Sequence, residues 1–137
     1  MISWMKLAAI PALLAGAAQA LDFTNKIPVD AAYTIGSNFV LKWTPEARTD
    51  TFILQITSFL ETPILVSPSG GPLGSPIYDY KSQTIVLDRE VKFSAGSYTW
   101  KVEPFADRIG KDWDYRFSAL WDDNSSSASP RSFTLKN

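Results

Sequence analysis

The 137-residue sequence carries 13 basic and 14 acidic residues, no histidine and no cysteine. That excludes Ser-His-Asp and Cys-His catalytic devices, the usual zinc and copper ligand sets, and any disulfide staple. A formal net charge of −1, with both signs interspersed and no basic stripe, excludes nucleic acid and anionic membrane as favoured partners.

In chain order, the first element is a targeting segment. Lys6 precedes the apolar run Leu7 to Ala17, and Ala18-Gln19-Ala20 offers small residues at the positions read by a signal peptidase. Residues 1–20 are therefore expected to be a cleaved secretory signal, leaving one domain over residues 21–137. The run is about half the roughly 20 apolar residues that span a bilayer, so no stable membrane anchor is expected. Export implies a secreted protein, extracellular or in a cell wall, with no glycolipid-anchor tail after Ser132.

Beyond Ala20 the apolar residues alternate in short runs broken by turn residues, the pattern of half-buried strands. Leu21 to Ile27 reads as a first strand, ended by Pro28. Asn38 to Trp43 places Phe39, Leu41 and Trp43 on one face. Thr51 to Ser58 places Phe52, Leu54 and Ile56 together. A shorter strand spans Ser82 to Leu87. Ser97 to Val102 aligns Tyr98, Trp100 and Val102; Asp114 to Trp121 aligns Tyr115, Phe117, Ala119 and Trp121; Ser132 to Leu135 turns Phe133 and Leu135 inward. About seven strands without helices predict an all-β fold, an immunoglobulin or fibronectin-III-like antiparallel β-sandwich, with a barrel as the alternative. Ser67 to Pro76, rich in Gly, Pro and Ser, reads as a connecting loop, with a binding loop as the alternative.

The chemistry that remains is sparse. The carboxylate pairs Asp112 with Asp114 and Asp122 with Asp123 fall in expected loops, where solvated or turn-forming Asp is the ordinary role. No catalytic residue, metal site or cofactor is assigned, and Asp122-Asp123-Asn124 lacks the spacing of a calcium loop. Asn124-Ser125-Ser126 is the one N-glycosylation sequon. Trp43 and Trp100 fall on core faces, while Trp121 suits core or surface equally. Trp113, expected in a loop, is the best exposed aromatic, with Tyr78 and Tyr80 as further sugar-stacking candidates. The candidate binding site is Trp113 with Asp112, Asp114 and Arg116: an indole for a sugar's C–H face and charged groups for its hydroxyls.

Four segments carry a resemblance. Gly36 to Thr44 resembles a Gly-x-x-Val-x-Ile-x-Trp-Thr motif, and Ala95 to Val102 a Gly-Ser-Tyr-x-Trp-x-Val motif. Asp114 to Phe117 resembles a Tyr-x-Ile strand, and Ser129 to Leu135 a Ser-x-x-Phe-x-Ile ending. Their order over Leu21 to Leu135 resembles the fungal Kre/Knh-type cell-wall synthesis domain, also found in Ser/Thr-rich GPI-anchored fungal surface proteins. The resemblance implies a secreted, non-enzymatic glycoprotein module of a fungal cell wall or extracellular matrix, binding β-glucan or another wall polysaccharide. The alternative is an effector-like module that binds an extracellular protein.

Overall fold

The computed structural model describes residues 21–137; the signal segment read from residues 1–20 lies outside them. Ten strands are present: β1 (Ala32–Thr34), β2 (Asn38–Lys42), β3 (Thr51–Leu60), β4 (Ile64–Ser67), β5 (Ile77–Asp79), β6 (Gln83–Lys92), β7 (Ser97–Lys101), β8 (Trp113–Trp121), β9 (Ser126–Ala128) and β10 (Thr134–Lys136).

They pack as a β-sandwich. One layer has the order β6-β3-β8-β9. Tyr115 in β8 also bridges to Phe133, just before β10, and β10 pairs in parallel with β1. The other layer is the antiparallel pair β2–β7, bordered by Phe23, which bridges to Trp43. Where alternation buries one face, the sequence placed the strands correctly. Phe52, Leu54 and Ile56 of β3 and Tyr115, Phe117, Ala119 and Trp121 of β8 are all buried, as are Leu41, Trp43, Trp100 and Val102.

Three readings need correction. Leu21 to Ile27 is not a strand: only Phe23 bridges, although Leu21 and Ile27 are buried. The strand read as Ser82 to Leu87 begins at Gln83 and runs on to Lys92, through two bulges opposite Phe52 to Gln55. Ser67 to Pro76 is a connection as expected, but the strands it joins, β4 and β5, were not expected and make it the turn of a hairpin.

Aromatic packing at the centre takes the place a disulfide holds in antibody domains. Tyr115 is fully buried; its hydroxyl donates to the Arg108 carbonyl (2.8 Å) and accepts from the Phe105 N–H (2.9 Å). This is the tyrosine-corner arrangement of immunoglobulin-type sandwiches, in which a cysteine commonly follows two residues later. Here Phe117 occupies that position. It stacks on Phe39 of the facing sheet (5.6 Å between ring centroids) and receives the edge of Trp100 (5.4 Å). Aromatic pairs of this kind contribute about 0.5–1.5 kcal/mol each beyond their buried area.

Candidate recognition site

The β3–β6 ladder ends at Ser58 opposite Gln83, while β3 stays paired with β8 as far as Leu60 opposite Trp113. Just past that ladder Leu60 N–H donates to the Tyr80 carbonyl (2.8 Å). After Glu61-Thr62-Pro63 the chain resumes as β4, which pairs with β5 alone: Ile64 opposite Asp79, Leu65 opposite Tyr78 and Ser67 opposite Ile77, with a bulge at Val66. The turn between them is held by its own hydrogen bonds. Gly70 N–H donates to Ser67 Oγ (2.9 Å), and Gly71 N–H to the Ser75 carbonyl (2.8 Å). A Cβ at Gly71 would stand 2.6 Å from Ser75 Oγ and 2.8 Å from the Ser75 carbonyl oxygen, so the turn closes only with glycine there.

The hairpin has little to pack on. Ile64, Leu65, Val66, Ile77, Tyr78 and Tyr80 are all exposed. At the tip Leu73 is fully exposed and sits at φ 56°, in the left-handed region. A leucine there bears a steric cost of about 1–2 kcal/mol that no burial offsets. Residues 62–78 contain no charged side chain. At the base, Asp79 and Lys81 neutralise each other across 3.0 Å. Arg108 fixes the base to the sandwich: its guanidinium donates to the Lys81 carbonyl (2.7 Å) and the Ser58 carbonyl (3.2 Å).

The same guanidinium lies 4.2 Å from the centroid of the Trp113 ring. Trp113 is therefore not an exposed loop aromatic. It opens β8, half-buried, on the row shared with Tyr115 and Phe117. Asp114 and Arg116 point to the opposite face, where Arg116 lies 5.2 Å from the Phe59 ring. Asp112 is exposed just before β8, its carbonyl accepting from Glu61 N–H (3.0 Å). The four residues do not form one constellation, and a sugar ring could reach the covered face of Trp113 only by displacing Arg108. Trp121 is a core residue, edge-on to Phe93 at 5.7 Å. Asn124 is exposed in the β8–β9 turn, where Asp122, Asp123 and Asn124 all have left-handed backbone.

Asp114 faces a cleft of about 320 Å³, shared with Asp30, Glu61 and Arg131. Burial, then the charge of Glu61 and a hydrogen bond with it, push the Asp114 carboxyl up to about 6. The folded state thus holds this proton more tightly than the unfolded chain does. The group costs nothing below the ordinary aspartate range. Its contribution becomes unfavourable as pH rises from about 4 to 6, and stays so above. Asp114→Asn should therefore raise the melting temperature at pH 7 and leave it little changed near pH 4. Thermal melts of both proteins at the two pH values check this, because subtraction removes the oppositely signed contributions of Asp50 and Asp79, whose carboxyls are held low by Arg48 and by Lys81.

Among the described residues no group of three or more His, Cys, Asp or Glu is placed to hold a metal ion. No protein family, curated protein or solved structure was found to match the chain.

Proposed function

We propose that this chain is a secreted, non-enzymatic recognition module of a cell wall or extracellular matrix, and that it grips an extracellular protein through the β4–β5 hairpin. The observation that carries the reading is a hairpin without charge from residue 62 to residue 78, with a fully exposed leucine in strained backbone at its tip. Aliphatic side chains backed by tyrosines suit an apolar face on a protein, where burial of such groups supplies most of the affinity. Export rests on the signal pattern of residues 1–20. The wall setting rests on the resemblance of the four sequence segments to the Kre/Knh-type domain.

A second reading keeps wall polysaccharide as the ligand, because Tyr78 and Tyr80 are both exposed and two residues apart on one chain direction. Tyrosines so spaced suit the apolar faces of a glycan.

Retention on fungal cell walls separates the two. Wild type should bind intact walls, lose that binding after the walls are stripped with protease, and ignore purified β-glucan, chitin and mannan. Leu73→Asp should weaken retention roughly tenfold, a loss of about 1.4 kcal/mol. Leu73→Gly, which relieves the left-handed strain, should weaken it too while folding at least as stably. Retention on purified glucan that Tyr78→Ala abolishes and Leu73→Asp does not would replace the protein reading with the polysaccharide one. Absence of retention on every wall fraction would overturn both.

A further inference from the structure

Among the described residues β6 forms one edge of the four-stranded layer, pairing only with β3. Edge strands are ordinarily blunted by charges and bulges, because their free N–H and C=O groups template pairing with other chains. β6 has these protections on one half only. Its C-terminal half carries Asp88, Arg89, Glu90 and Lys92 and one bulge, a second bulge falls at Leu87 where the halves meet, and Asp88 Oδ1 takes the Glu90 N–H (2.9 Å). Its N-terminal half, Gln83-Thr84-Ile85-Val86-Leu87, pairs with β3 in unbroken register from Gln83 to Val86 and bears no charge.

The side chains there are incompletely covered as well. Ile85 lies opposite Ile56, which is wholly buried, yet Ile85 is 42% exposed. Ile85 is turned to the core side, but no strand lies beyond it to close the layer. Val86, on the other face, is exposed too. Between Thr62 and Leu87 the only charges are Asp79 and Lys81, already paired with each other. Nothing on this border repels an identical border.

We propose that the free edge of β6, residues 83–87, pairs antiparallel with the same edge of a second copy, joining the two four-stranded layers into one continuous sheet. Antiparallel pairing of a segment with itself is two-fold symmetric, so the contact closes at two copies. It satisfies the outward backbone groups and covers Ile85 and Val86 on both sides. The interface is small, so the dimer should be weak and concentration-dependent. This inference stands apart from the hairpin's ligand: an antiparallel β6 contact leaves each hairpin beyond its end, and pairing would present two of them, raising avidity for a multivalent surface.

Sedimentation velocity of the purified protein, from low micromolar to near-millimolar concentration, tests it. The average mass of wild type should rise toward twice the monomer mass. Val86→Lys and Ile85→Lys should each stay monomeric throughout, since a lysine on the edge meets its own copy. Val86→Lys sits on the outer face, so unchanged circular dichroism and melting for it separate lost pairing from lost folding. Amide exchange at residues 83–87 should slow with concentration in wild type. Leu65→Asp, in the hairpin, should dimerise like wild type. A monomeric wild type at every concentration would overturn the proposal, as would a dimer abolished by Leu65→Asp but untouched by both lysine variants.

Discussion

Trp43→Ala should cost about 3–5 kcal/mol, enough to leave a domain of ordinary stability partly or wholly unfolded at room temperature. Trp43 is 2% exposed and closes the end of the two-stranded layer. Its indole meets Phe52 edge-on at 5.3 Å and Phe23 at 6.4 Å. Its Nε1–H donates to the Phe93 carbonyl (2.9 Å). Truncation therefore opens a cavity and also removes one of the two hydrogen bonds to the Phe93 carbonyl, which keeps the Glu46 N–H (3.2 Å), so the cavity sets most of the cost. The rim provides the control. Trp113→Ala should cost far less, because that indole is only half-buried and its neighbour Arg108 keeps its bonds to Ser58 and Lys81. Chemical denaturation of the three proteins gives the comparison, and equal midpoints for the two variants would refute the assignment of Trp43 to the core and Trp113 to the rim.

Tyr115→Phe should be the costliest removal of a single atom, at about 2 kcal/mol. The phenol ring fits the same space in both proteins, so packing is preserved and the loss isolates the hydroxyl. That oxygen joins the Phe105 N–H and the Arg108 carbonyl across the loop before β8. Without it a buried donor and an acceptor are left without a partner. Because Arg108 also holds the base of the hairpin, the loss should loosen residues 80–81 together with residues 105–108. Native-state hydrogen exchange would show faster exchange at those two segments than in the β3–β8 ladder. An unchanged midpoint would mean that water replaces the hydroxyl at no cost.

The contrast between what was and was not legible in the sequence follows from periodicity. β2, β3, β7 and β8 each bury one face, so a period of two appears in their side chains and the core could be read directly. β4 and β5 expose both faces. Ile64-Leu65-Val66 and Ile77-Tyr78 show no alternation, and the intervening Gly-Pro-Ser run looks like a connection. A signal was present nonetheless: two short β-branched and aromatic runs around a Gly-rich turn mark a hairpin, and seventeen consecutive residues, 62–78, carry no charge. Trp113 reads as a loop residue for a different reason. Its flanking aspartates resemble a loop, and the group that covers it, Arg108, arrives through carbonyls at Ser58 and Lys81 that sequence spacing does not relate. The split of Asp114 and Arg116 from Trp113 follows from alternation once β8 is known to begin at residue 113 rather than 114.

The central claim, that the hairpin is the contact element, is open to direct measurement by photo-crosslinking. A photoreactive amino acid would be placed at position 73 on the tip, at 78 on β5, or at 116 on the outer face of β8, and each protein irradiated on intact cell walls. Positions 73 and 78 should capture one shared wall protein covalently, competed by excess wild type, and position 116 should capture little. Efficient, competable capture from 116 with none from 73 or 78 would contradict it, and would return the contact surface to the neighbourhood of Asp114 and Arg116.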